Sequence, residues 1–292
     1  MAKKTIFLKC LLTGFIYALL TCIVQVPIGS ALCSIFDTPK DPMVTPDMVP
    51  PLLFSLFIVG AVMAFFYYLY GYLFADTSKW KQGMKFGMFV FLSNYAPQVF
   101  FLDATKGIRA LITGGFAVIQ IELFDFIILI GTVLLMVRYM PYRANEEKSN
   151  NKISWWKCFA CGGVYALSVF LFYEIILPLF GFENMASGLN VSSDNIIFFY
   201  SVLLSGFVLT GILVSYYAHR VTAISKRGHF IIAYGALIWC TFDLTMIPLG
   251  FGMLETVLFI IISMIGFVTI RATYNLKRNM KADFVAHKNV SV

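Results

Sequence analysis

Charge is what this chain has least of. Only 13% of its 292 residues are Asp, Glu, Lys or Arg, against roughly 25% in a soluble domain. Histidine is scarcer still: the three present, His219, His229 and His287, lack the spacing of a zinc site. Six cysteines occur, and the close pair Cys158-x-x-Cys161 opens an apolar run instead of lying in the soluble βαβ context that a redox motif needs. They read as small buried thiols. Neither a phosphate-cradling loop nor a Ser/His/Asp grouping can be assembled. No catalytic residue, metal site or cofactor is therefore expected. The short alternating segments of an outer-membrane barrel are also missing.

What the chain has instead is apolar length. Hydrophobic residues make up 60% of it, with a mean hydropathy of +0.82. Runs of about 20 such residues recur, the length a helix needs to cross a bilayer core. Eight are expected, over Ile6–Ser34, Leu52–Phe74, Phe86–Phe101, Phe116–Val137, Trp155–Phe180, Ile196–Ala218, Phe230–Leu249 and Leu254–Ile270. The third is interrupted by Asn94, Pro97 and Gln98, a break tolerated where protein or water satisfies the freed backbone groups. The expected class is an all-α, multi-pass integral membrane protein. Lys3-Lys4 and the apolar run after them have the look of a signal peptide, but the run is long and its start recurs in the fifth span. It reads as a retained first span.

The few basic residues are placed unevenly. With these spans, 19 of the 22 lie on one side, and Lys40, Lys106 and Arg109 on the other. The positive-inside rule then puts both termini in the cytoplasm. The net charge of +7 accordingly points to membrane edges and anionic lipid, not to nucleic acid.

Two stretches of sequence occur twice. Lys9-Cys10-x-x-x-Gly14-x-x-Tyr17-Ala18-Leu19 returns as Lys157-Cys158-x-x-x-Gly162-x-x-Tyr165-Ala166-Leu167, and Glu122 to Arg138 returns as Glu255 to Arg271. The chain therefore reads as two tandem four-helix units, residues 1–141 and 154–276, joined by a cytoplasmic linker, 142–153, and followed by a basic tail, 277–292. Four spans per unit is an even number, so both units enter the membrane in the same direction. A pseudo-twofold axis along the membrane normal follows, unlike the inverted repeats of many transporters. Small-residue pairs mark expected helix contacts: Gly60-x-x-x-Ala64, Gly83-x-x-x-Gly87, Gly162-x-x-x-Ala166 and Ser201-x-x-x-Ser205. The aromatic run Phe65 to Tyr70 with Tyr72, like Trp155-Trp156, reads as a belt at the membrane interface.

An ionisable group inside a bilayer is a functional candidate by default. Five carboxylates qualify: Glu122, Asp125, Glu174, Asp243 and Glu255. Aligning the copies pairs Glu122 with Glu255 and Gln98 with Asp243. The expected site is a polar cavity between the units, with Asp125, Asp243 and Glu255 binding a cation or exchanging protons and with Gln98 and Asn94 as neutral ligands. The competing reading puts Glu122, Glu255 and Glu174 at headgroup level and makes Asp125 and Asp243 helix-to-helix contacts. Small-solute, ion or proton handling is the leading expectation. A lipid-modifying enzyme and a non-catalytic accessory or assembly protein are the alternatives. Expected partners are the bilayer, a small solute or cation, and a second copy or another membrane protein. The expected location is a bacterial cytoplasmic membrane.

Overall fold

The computed structural model describes residues 3–24, 49–95, 97, 115–143, 149, 152–183, 196–244 and 253–290, without the side chains of 95, 115–125, 198, 255 and 276–290. Every regular element among the described residues is helical. We label them α1 (Lys3–Val24), α2 (Val49–Tyr70), α3 (Lys79–Val90), α4 (Gly115–Tyr139), α5 (Trp155–Leu171), α6 (Ile196–Arg220), α7 (Ile224–Tyr234) and α8 (Met253–Val290). Three of them run on through π-helical segments: α3 into Phe91–Tyr95, α5 into Phe172–Ile176, and α7 into Gly235–Trp239 and then Cys240–Asp243. Such widened turns recur at functional positions in helices.

Five stretches are long and apolar enough to cross a membrane: Lys3–Val24, Val49–Phe74, Trp155–Leu179, Phe199–Arg220 and Thr256–Asn275. Their outward faces carry Phe7, Phe15, Phe54, Leu167 and Val268, all exposed. A water-soluble surface does not display so continuous an apolar coat, and these helices are those of a multi-pass membrane protein.

Glycine sets the closest packing. α1 crosses α2 where Gly14 meets Gly60, and a Cβ on Gly14 would lie 2.3 Å from the Phe57 carbonyl oxygen. α5 crosses α6 in the same way: a Cβ on Gly162 would lie 2.6 Å from the Val208 carbonyl oxygen, and one on Gly211 2.7 Å from the Gly162 Cα. Gly83 and Gly87 seat Leu134 and Ile130 of α4, while Gly228 and Gly235 seat Arg271 and Phe267 of α8. The Gly83–Gly87 pair is thus a true helix contact. Ser201 and Ser205 are not: both are exposed, and their hydroxyls donate back to the Ile197 and Ser201 carbonyls of their own helix. Hydroxyls can satisfy themselves this way, so small size alone does not make a contact.

The first four helices and the last four interlock reciprocally. α2 packs against α7 and its π segment, and α6 packs against the π segment of α3. Aromatic rings fill the seam: Phe66 lies 5.9 Å from Tyr234, Phe74 4.5 Å from Tyr217, and Phe89 4.6 Å from Tyr217. This corrects the interface-belt expectation for Phe66, Tyr67 and Tyr72, which are buried. Phe66 meets Phe230 and Tyr234 across the seam and Tyr67 meets Phe86 and Tyr142 within its own set, so these rings pack inward. Phe65 is exposed, as are Trp155 and Trp156.

Two lysines bond main-chain carbonyls of other helices, at the end of α4 and within α8. Lys9 Nζ donates to the Tyr139 carbonyl at 2.6 Å, and Lys157 Nζ to the Tyr274 carbonyl at 3.2 Å. In the short connection from α2 to α3, Lys85 and the Thr77 amide hold the Asp76 carboxyl at about 2, below its ordinary value. That pairing contributes to stability above about pH 4 and loses its contribution as pH falls towards 2.

The glycine crossings carry a direct test. Gly162→Val is expected to cost about 1–3 kcal/mol by overpacking, visible in thermal unfolding of the detergent-solubilised protein. Gly163→Ala, where nothing lies within 4 Å, is expected to leave stability unchanged or raise it. Equal losses at both positions would contradict this packing.

Candidate functional site

The polar positions begin with Pro97. Proline lacks the amide hydrogen that would bond the carbonyl four residues earlier, and here that carbonyl belongs to Ser93. Thr210 of α6 replaces the missing donor, its hydroxyl bonding the Ser93 carbonyl at 2.8 Å. A bilayer demands such a substitution, because water is not there to supply one. Pro97 itself lies against Gly206, one helical turn from Thr210. Ser93 Oγ also shares a 2.6 Å hydrogen bond with the Tyr234 hydroxyl of α7. One residue of α3 is thereby tied to both α6 and α7.

Asn94 follows directly. Its side chain is fully buried, and neither amide atom has a hydrogen-bond partner. An unsatisfied buried amide group costs about 1–3 kcal/mol, so Asn94 is a costly polar group at the seam. It can offer both a donor and an acceptor to a bound species.

Asp243 forms a second centre. It ends the Cys240–Asp243 helix and is 6% exposed. Ser263 of α8 donates to its carboxylate at 3.3 Å. Tyr165 and Tyr173 of α5 are close enough to feel its charge, and both are buried. The Tyr165 hydroxyl has no hydrogen-bond partner. A carboxyl so placed must be hydrogen-bonded, paired or protonated to be tolerated, and α8 supplies one hydroxyl to it while α5 brings two more within electrostatic range. The helix that bears it also packs against α2, so the centre adjoins the seam.

Comparison of the chain with protein-family models, curated proteins and solved structures finds no match. The site must speak through its own geometry.

Of the residues singled out from sequence, Asn94, Asp243 and Glu174 have described side chains. Glu174, in the π segment of α5, accepts a 2.5 Å hydrogen bond from the Tyr200 hydroxyl of α6. It is therefore directed to a different partner from Asp243, although Tyr173 beside it reaches towards Asp243. The side chains of Glu122, Asp125 and Glu255, and the whole of Gln98, lie outside the described residues. Among the described residues no group of His, Cys, Asp or Glu is arranged to hold a metal ion. Cys158 and Cys161 are buried free thiols.

Sequence reasoning missed Ser93, Thr210, Tyr234, Tyr165, Tyr173 and Ser263. Single hydroxyls in apolar helices carry no distinctive pattern. Pro97 was the usable signal, since it identifies Ser93 as a carbonyl in need of a donor.

Substitutions should separate the two polar roles on α3. Ser93→Ala removes a bond to Tyr234 and is expected to destabilise the protein by about 1 kcal/mol. Asn94→Leu replaces an unsatisfied amide and is expected to leave thermal stability equal or higher. A clear loss of stability in Asn94→Leu would show that the amide is satisfied after all.

Proposed function

We propose that this protein is an eight-span membrane protein of two tandem four-helix units that handles protons, a small cation or a small solute. Both units enter the membrane in the same direction about a pseudo-twofold axis, with both termini in the cytoplasm of a bacterial cell. Several paired details support the duplication. Gly14 and Gly162, at matching sequence positions, make the closest crossings. Lys9 and Lys157, also matching, each donate to a main-chain carbonyl of the last helix of their own set. π segments occur in both α3 and α7, and the contacts of α2 with α7 are mirrored by those of α6 with α3.

The observation that carries the function is the buried Asp243 carboxyl with Ser263, Tyr165 and Tyr173 around it. A carboxyl group inside a membrane helix bundle is costly to keep, and hydroxyl neighbours suit it to exchange a proton or to help strip the water from a cation. Asn94, with its free amide atoms at the adjoining seam, is the neutral ligand of this scheme.

An accessory or assembly role is the second reading. It is favoured by the Thr210–Ser93 and Ser93–Tyr234 bonds, which join helices and need no ligand.

Proteoliposomes distinguish the two. The wild type is expected to dissipate an imposed proton or monovalent-cation gradient faster than empty vesicles. Asp243→Asn is expected to slow that flux on the order of tenfold at an unchanged protein level. A variant that transports like the wild type, or that is merely lost from the membrane, would count against Asp243 as the carrier.

A further inference from the structure

The opposite end of the last four helices holds a group of donors that the scheme above does not use. Arg227, near the start of α7, donates through Nε to the Val221 carbonyl at 2.9 Å, while its Nη2 is buried with no acceptor. Tyr274 of α8 is 5% exposed, and its hydroxyl also lacks a partner. The two groups lie within side-chain hydrogen-bonding range of each other, although no strictly aligned bond joins them. Lys157 of α5 places its ammonium 5.2 Å from the Tyr274 ring centre. His219 of α6 closes the group, its ring 4.8 Å from that of Tyr274 and within range of both Arg227 and Lys157. Its Nδ1 faces the Ser215 carbonyl at 2.9 Å, which assigns the hydrogen to that nitrogen. The stem of Arg271 lies over Gly228, beside Arg227. Among the described residues neither Arg227 nor Lys157 forms an ion pair with a carboxylate.

The corresponding place in the first four helices has its donors paired within the protein. There the sequence reads Lys81-Gln82-Gly83 where α7 has Lys226-Arg227-Gly228. Gln82 Nε2 donates to the Tyr67 hydroxyl at 2.6 Å. The Tyr139 hydroxyl, next to the carbonyl that Lys9 caps, is bonded to Thr13 at 2.8 Å. The same position is thus satisfied internally in one set and left with orphan donors in the other. A buried donor left unmade is costly, and more so on a charged group.

We propose that Arg227, Tyr274 and Lys157 form a binding site for a phosphate-type oxyanion at the basic end of α5, α6, α7 and α8. A guanidinium edge, a hydroxyl and an ammonium supply charge-assisted donors from three directions to a tetrahedral anion. Inorganic phosphate and the headgroup of an anionic phospholipid share that chemistry. Arg227 and Asp243 are 16 positions apart along α7, roughly 24 Å of helix, so this site stands or falls independently of the Asp243 centre.

The test is thermal unfolding of the purified full chain in a neutral detergent. Sodium phosphate is titrated against sodium chloride at equal ionic strength, and phosphatidylglycerol against phosphatidylcholine in mixed micelles. A saturable rise in Tm of several degrees is expected with phosphate or with phosphatidylglycerol, and none with chloride or phosphatidylcholine. A response to phosphate identifies a soluble oxyanion as sufficient, and a response to phosphatidylglycerol alone identifies a lipid headgroup. Arg227→Gln should abolish the rise, and it should lower the anion-free Tm by no more than the loss of its bond to the Val221 carbonyl accounts for. Tyr274→Phe, which removes only an unpaired hydroxyl, should weaken the apparent affinity about tenfold, and it carries the test if Arg227→Gln does not fold. No rise with either anion, or a wild-type rise in both variants, overturns the proposal.

Discussion

Close backbone approach at glycine is the constraint on which the rest of this structure depends. Lipid tails are as apolar as leucine, so helices in a bilayer gain little by hiding apolar side chains from their surroundings. Contact area and complementary shape must hold them together instead. Gly14 with Gly60 and Gly162 with Gly211 bring two helix pairs to within van der Waals contact of backbone on backbone. With α1–α2 and α5–α6 fixed in this way, α2 and α6 are left to reach across to α7 and α3. The aromatic seam of Phe66, Phe74, Phe89, Tyr217 and Tyr234 fills the space between them.

The seam also determines where polar groups can be tolerated. Pro97 deprives one carbonyl of its partner, and the neighbouring helix replaces it through Thr210. Ser93 then links α3 to α7 through Tyr234. These bonds consume their polar atoms fully. Asn94 and the Tyr165 hydroxyl beside Asp243 are not consumed, and that contrast separates groups that hold helices from groups free to meet a ligand. The same distinction applies at the far end, where Gln82 is satisfied and Arg227 is not.

Much of the architecture was legible in the residues, because a bilayer limits what a backbone can do. Of the eight apolar runs read as spans, five coincide with helices that are long and apolar enough to cross a membrane. Gly60 and Gly162 were readable as contact points, whereas Ser201 and Ser205 misled because a serine hydroxyl can bond its own helix. The inward turn of Phe66 and Tyr67 was not legible. An aromatic run has the same composition whether it faces headgroups or other rings, and only the rings it meets in space decide. The candidate site was legible in part: Asp243 and Asn94 stood out as polar residues among apolar ones. Ser263, Tyr165 and Thr210 did not, since they become significant only through the carboxyl or carbonyl they meet in space.

The central claim is that the two sets of four helices interlock reciprocally through α2 with α7 and α6 with α3. Disulfide trapping tests it most directly, using the full chain with its six native cysteines replaced and a protease site placed between Arg143 and Lys152. Cysteines at Pro97 and Gly206, where a Cβ on Gly206 would lie 3.1 Å from the Pro97 Cβ, need to part by only about half an ångström to reach disulfide spacing. A second variant carries cysteines at Phe66 and Tyr234, whose ring centres are 5.9 Å apart. After oxidation and cleavage, the account predicts that the two fragments of the Pro97/Gly206 variant migrate together and separate on reduction. It predicts the same for the Phe66/Tyr234 variant. Fragments that separate without reduction in both variants would contradict it.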